Sequence, residues 1–168
     1  MDAGQLRALQ APLKKQYREE PEVALVTLRA QGRIGEGIIC KVETGKGLAD
    51  AGLHPATGGD GLALCSGDML LEALVACAGV TLRAVATAIG VELHDGIIRA
   101  EGEIDFRGTL AVSKQAPVGF KDIRLHFDLD TDASPDQLNS LIRLTERYCV
   151  VYQTLRNAPE IAVSYGIS

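Results

Sequence analysis

The hydrophobic positions of this chain change period from segment to segment, and each period predicts an element. Ile98, Ala100, Gly102, Ile104 and Phe106 alternate with Arg99, Glu101, Glu103, Asp105 and Arg107. Ile123, Leu125, Phe127 and Leu129 alternate in the same way with Arg124, His126 and Asp128. A period of two predicts strands. One wet face on each predicts an antiparallel sheet with helices on its other side. The apolar stretch Met69 to Gly90 reads as a core helix, which Ser66 can cap and whose positive end Asp68 complements. A second helix is announced by Ser134-Pro-Asp-Gln137, with a Ser cap, Pro at the first helical position and a capping-box Gln. Its buried stripe runs through Leu138, Leu141, Ile142, Thr145, Tyr148 and Cys149, which places Cys149 near the helix end.

The rest of the pattern is shorter. Leu6, Leu9, Leu13 and Tyr17 have helical spacing over Gln5 to Glu20, with Pro12 as a kink or a restart. Val23 to Arg29 and Ile38 to Thr44 read as strands of a hairpin turning at Gln31 to Gly35. Cys40 falls on the apolar face of the second of these. Gly45 to Ser66 is a Gly-rich connection that could hide a short strand near Gly61 to Leu64. Ile161, Val163 and Tyr165 predict a closing strand. No repeat or linker divides the chain, so the expectation is one α+β domain over residues 22–168 with a helical extension over 1–21.

Composition narrows the function classes. The 168 residues are 46% hydrophobic and 23% charged, with a net charge of -5. An acidic balance without a basic block argues against nucleic acid and anionic membrane as partners. Between Glu72 and Arg83 only Ala73 to Leu82 is uncharged, far short of the roughly 20 apolar residues a bilayer crossing needs. No basic and apolar leader is visible, so the expected compartment is the reducing cytoplasm, where permanent disulfides are rare. His54, His94 and His126 have no metal-ligand spacing. No phosphate loop, dinucleotide fingerprint or nucleophile elbow is present, and no cofactor is expected.

The chemistry left over is that of thiols. Cys77 sits among Ala73, Ala76, Ala78 and Gly79, which leave room for another helix or a ligand, and Cys149 closes the second apolar stripe. A thiolate is the reactive form, and an apolar setting alone raises a thiol's pKa. A reactive Cys77 therefore requires a cation or several hydrogen-bond donors, and Arg33 is a freer candidate than Arg83. Cys65 reads as an incidental thiol. Glu72 and Arg83 most simply pair with groups on neighbouring elements, and a buried structural ion pair is the expectation over a catalytic one.

Five segments together carry a resemblance. They are Gln31-Gly-Arg-Ile-Gly-Glu-Gly37, the helix from Ser66 to Cys77, the strand ending in Asp105-Phe106, Val118-Gly-Phe-Lys-Asp-Ile123, and Tyr148-Cys-Val-Val-Tyr-Gln-Thr-Leu155. In this order the chain resembles the OsmC/Ohr family of osmotically induced and organic-hydroperoxide-resistance proteins. The resemblance implies antiparallel sheets wrapped around two long central helices in an intertwined homodimer. It implies a thiol peroxidase for organic or lipid-like hydroperoxides, with Cys77 attacking, Cys149 resolving a Cys77–Cys149 disulfide, and Arg33 and Asp68 activating the thiolate. A dithiol, such as a lipoylated protein, is the implied reductant. Two positions depart from the family's pattern. Gly67 stands where one branch has Glu, with Asp68 one residue later where another branch has it, and Val150 replaces a Pro. A binder of an apolar ligand at the dimer interface and a redox sensor are the alternative readings.

Overall fold

The computed structural model describes residues 2–5, 7–8, 11, 19, 31–34, 39–44, 47–111 and 113–167, with backbone alone for 31–34, 39–44, 47–48 and 107. Most of the expected N-terminal helix and the strand Val23 to Arg29 lie outside the described residues. The first described sheet has the order β1 (Gln31–Ile34), β2 (Ile39–Thr44), β3 (Gly47–Gly52) and β4 (Leu64–Cys65). β1/β2 and β2/β3 are antiparallel, but β3 and β4 run parallel, so the sheet is mixed and not antiparallel throughout. Gln31 to Ile34 is strand, paired Gln31↔Glu43 to Ile34↔Cys40, where the glycines had suggested a turn. The supposed connection contributes β3, whose Gly-Leu-Ala-Asp-Ala-Gly carries no alternation because its pairing is made by backbone groups.

From β4 the chain enters α1 (Ser66–Ile89). The cap position is Cys65, one residue before the expected Ser66, and no side chain closes it. By length and composition α1 is long and apolar enough to cross a bilayer, more than the uncharged run suggested. In the fold it packs inside protein through Leu74, Ala78, Leu82, Val85 and Ala86, a single helical face. Gly90, at φ +73°, closes the helix in a conformation that disfavours side chains, and the Val91 N–H donates to the Ala86 carbonyl at 2.9 Å. Glu72 and Arg83 are both exposed, so the expected buried ion pair does not form. The Arg83 guanidinium instead donates to the Leu93 carbonyl at 3.0 Å.

β5 (Asp95–Ile104) and β6 (Phe120–Asp130) form the second sheet, antiparallel and in register from Asp95↔Asp130, with a bulge at Glu103/Ile104. The bulge ends the alternation two residues early, and Phe106 begins the short helix α2 (Phe106–Thr109). The apolar faces of both strands lie over α1 and α3 (Pro135–Tyr148). The Ser134 capping box starts α3 as its sequence predicts, with Gln137 N–H on Ser134 Oγ and Ser134 N–H on Gln137 Oε1. Leu82, Val85, Ala86, Val91 and Leu141 form the buried centre, joined by Ile98, Phe127 and Ile142. After α4 (Val150–Arg156) the chain runs out without a strand, and Ile161, Val163 and Tyr165 are 81 to 91% exposed. The expected closing strand does not form because no described sheet edge of the same chain pairs with it.

Candidate active site: two thiols at a helix break

Cys149 interrupts one long apolar stripe and makes two helices of it. Its φ of -74° and ψ of 110° are extended, so α3 stops at Tyr148 and α4 restarts at Val150. Neither Pro nor Gly makes this break. It is held by hydrogen bonds: the Cys149 N–H donates to the Thr145 carbonyl, and the Cys149 carbonyl accepts from the Gln153 N–H, both at 2.9 Å. The Gln153 side chain reaches back across the break to the Glu146 carbonyl at 2.8 Å. Beneath it the buried Thr145 hydroxyl donates to the Leu141 carbonyl at 2.8 Å. Cys149 itself is 1% exposed.

The break faces the middle of α1. There the Cys77 and Cys149 side chains are close enough that each acts on the ionisation of the other. Burial pushes the Cys77 thiol up, and that push is outweighed. Hydrogen bonding from the backbone at Val151 and Val150 and from the Cys149 side chain favours its thiolate, and its pKa is lowered; the Thr81 hydroxyl donates to the Cys77 carbonyl at 2.8 Å. Cys149 moves the opposite way. Burial raises its pKa, the Tyr152 N–H offsets part of that, and the neighbouring Cys77 sulfur raises it further. Two chemically identical side chains are thereby separated into one that ionises first and one that keeps its proton.

The other candidate residues are elsewhere in the protomer. Asp68 lies in the first turn of α1, nine residues before Cys77, or about 13 Å along the helix axis. It lines a cleft of about 530 Å³ with His54, Cys65, Phe106 and Lys121, where the His54 and Phe106 rings stack at 5.1 Å. Arg33 is in β1, opposite Lys41, and its side chain lies outside the described residues. The structure thus joins Cys77 to Cys149 and does not bring Asp68 to them within one chain. What the sequence did not reveal are the Val150 and Val151 amides, since a backbone donor leaves no mark in a residue's identity. Thr81 was visible only as a neighbour of Cys77 on the helix stripe. Among the described residues no cluster of His, Cys, Asp or Glu could hold a metal ion.

A second cleft, of about 540 Å³, opens one turn along α1 from Cys77. Leu74, Phe120, Leu125, Phe127, Ile142 and Leu155 line one part of it, and Asp122, Glu146, Tyr152 and Arg156 make the rest polar.

Comparison with known proteins places the fold. The profile of the OsmC-like protein family matches residues 58–164, well over half of the chain and inclusive of both thiols. A search of curated proteins by sequence gives no match. Among solved structures, the OsmC-like protein from Mycoplasma pneumoniae superposes with a TM-score of 0.67 at 15% identity, over 79% of this chain and 89% of that one. The organic hydroperoxide resistance protein OsmC from Legionella pneumophila gives 0.61 at 20% identity, over 79% and 91%. The organic hydroperoxide resistance protein OhrB of Bacillus subtilis gives 0.53 at 18% identity, over 79% and 93%. At these identities the likeness is one of fold.

Proposed function

Because the chain belongs to the OsmC-like protein family, we propose that it is a thiol-dependent peroxidase that reduces organic hydroperoxides. The observation that carries this reading is the mutual influence of Cys77 and Cys149, with the pKa of one sulfur lowered and that of the other raised. In the proposed reaction the Cys77 thiolate attacks the distal peroxide oxygen. The O–O bond breaks, an alkoxide leaves and takes a proton to become an alcohol, and Cys77 becomes a sulfenic acid. The Cys149 thiol gives up its proton and attacks the sulfenic sulfur, water leaves, and a disulfide joins the two residues. A dithiol then restores both thiols and is itself oxidised to a disulfide. The mutual influence of the two side chains in the reduced form supports a short path from sulfenic acid to disulfide. Arg33 enters this scheme only through the family resemblance.

The apolar cleft beside Leu74 supports a preference for peroxides with a hydrocarbon body over hydrogen peroxide. The same cleft favours a second reading, a non-enzymatic carrier of an apolar ligand. The working unit we propose is a homodimer. On α1 the exposed residues Ala73, Ala76, Val80 and Arg83 form one stripe, with Val80 72% exposed, and the alternating tail from Ile161 to Ile167 lies open beside no partner strand. A second copy covering both would take these exposed apolar side chains out of water. Val80→Glu is then expected to shift the protein from dimer to monomer in sedimentation.

The decisive test treats the reduced protein with one equivalent of cumene hydroperoxide and maps its disulfides by mass spectrometry. A rapid Cys77–Cys149 bridge, absent in Cys77→Ser, is the expected result. Thiols that stay reduced while the peroxide persists would overturn the peroxidase reading, and co-purifying lipid would then favour the carrier.

A further inference from the structure

The break at Cys149 has no covalent cause. A proline at 150 would force Cys149 out of the helical region and stop α3 there, and Val150 imposes nothing of the kind. What spans the break instead is one side chain. The Glu146 carbonyl is among the last of α3, which have no partner within their own helix, and Gln153 Nε2 donates to it at 2.8 Å. The other end of the same amide is also engaged, with Gln153 Oε1 accepting from Asn157 Nδ2 at 3.1 Å. Asn157 caps α4, and its backbone N–H donates to the Gln153 carbonyl at 2.9 Å. Gln153 also holds Cys149 directly, through its own N–H on the Cys149 carbonyl at 2.9 Å. One residue thus ties together the last turn of α3, the thiol-bearing residue and the end of α4.

We propose that Gln153 is a positioning residue for the second thiol: its side-chain amide braces α4 against α3 and so holds Cys149 in place for disulfide closure with Cys77. The inference rests on the proposed reaction, in which Cys149 resolves a Cys77 sulfenic acid. Both α3 and α4 pack on α1, the helix that carries Cys77. Cys149 is buried at their junction, so the angle between the two helices decides where its sulfur meets α1. Closure is sensitive to that angle, since a misplacement of about 1 Å can cost a reacting pair as much as about a hundredfold. Gln153 acts through the backbone of residues 146–153. The closing step therefore needs it more than the attack of Cys77 on peroxide does.

Gln153→Glu keeps the length of the side chain and the acceptor for Asn157, but at neutral pH it has no proton to give the Glu146 carbonyl. Reduced protein is equilibrated with glutathione buffers, quenched with acid and alkylated, and the Cys77–Cys149 disulfide is quantified by mass spectrometry. Oxidised glutathione accepts two electrons from the thiol pair, which leaves the protein disulfide and two molecules of reduced glutathione. In Gln153→Glu the equilibrium constant for closure should fall about fivefold, as expected for one lost hydrogen bond. Leu141→Ala, which loses core packing without touching the break, should leave the constant of the folded protein unchanged. Adding Val150→Pro to Gln153→Glu should restore it, because Cys149 already has the extended φ and ψ that a proline after it would enforce. An unchanged constant in Gln153→Glu, an equal fall in Leu141→Ala, or no recovery with the proline overturns the inference.

Asn157→Ala keeps the test independent of how Gln153→Glu folds. Asn157 is exposed, and its truncation removes only the side-chain contacts that orient Gln153. The constant should fall in the same direction and by less, and a constant that stays at the wild-type value overturns the inference as well. None of these equilibria uses peroxide. With one equivalent of cumene hydroperoxide, Gln153→Glu should accumulate the Cys77 sulfenic acid, trapped by dimedone, where the wild type closes to the disulfide. If neither protein is oxidised while the glutathione constants differ as expected, the peroxidase reading falls and the brace stands.

Discussion

Cys65 and Cys77 belong to the same helix, one at its cap and one in its middle, and both are partly buried. Their surroundings are built differently. Cys65 lines a cleft with His54, Asp68, Glu103 and Lys121, rich in formal charge and open to water. Cys77 lies in mid-helix, where hydrogen bonding from uncharged groups lowers its pKa against the push of burial. Charges at an open cleft are weakened by solvent and salt, whereas aimed dipoles in a drier site keep most of their strength. The difference is that uncharged donors at Cys77, and not the charges near Cys65, go with a lowered thiol pKa.

The largest expected effect separates these two cysteines outright. Cys77→Ser should reduce hydroperoxide consumption to the uncatalysed background, and Cys65→Ser should leave both the rate and the Cys77–Cys149 bridge intact. Cys149→Ser should consume about one equivalent and stop at the Cys77 sulfenic acid, which a dimedone label detects. The pH dependence sharpens the same contrast. A lowered pKa means the thiolate forms earlier as pH rises, so Cys77 alkylation should level off at lower pH than that of Cys149, whose pKa is raised. Loss of activity in Cys65→Ser would mean that the charged cleft, not the helix break, is the reactive site.

How much of this was legible in the sequence depended on whether side chains or backbone groups make the feature. The strands β5 and β6 and the start of α3 were legible, because Ile98 to Ile104, Ile123 to Leu129 and the Ser134 box expose their pattern in side-chain identity. β3 was not, because Gly47 to Gly52 pairs through backbone groups and holds few large side chains. The same division runs through the site. Cys77 and Cys149 could be named from their helical stripes, but the break that joins them depends on Gln153 reaching the Glu146 carbonyl, a bond no periodicity announces. The alternation of Ile161, Val163 and Tyr165 predicted a strand that the chain does not form, and these residues stay exposed. Pairing across copies is outside what one chain's sequence displays.

The next effects are on stability and act on what supports the thiol pair. Leu141 is fully buried where α3 meets α1. Leu141→Ala should cost about 2 to 5 kcal/mol in denaturant unfolding, from lost burial and the cavity left behind. Cys77 reactivity in the folded fraction should survive it. Gln153→Ala removes the side-chain bond across the break and should cost about 1 kcal/mol. Unlike Leu141→Ala, it should also change Cys77 alkylation, because it loosens the segment that carries Cys149. Equal effects of the two variants on alkylation would mean that the break is only a structural joint.

The smallest expected effect is the most informative about assembly. Asp68 is exposed and about 13 Å along α1 from Cys77. At that separation in water a unit charge acts with about 0.3 kcal/mol before salt screening, and a Debye length of about 8 Å reduces this further. Asp68→Asn should therefore change Cys77 alkylation by less than about twofold, and in the direction of slightly easier ionisation, since a negative charge has been removed. The family resemblance gives this residue an activating role, which would require Asp68 to hold a cation near the sulfur and would make its loss slow the thiol. The two readings differ in sign as well as size. A tenfold slowing in Asp68→Asn, abolished when Val80→Glu keeps the protein monomeric, would mean that Asp68 of a second copy reaches the thiol and that the dimer completes the site.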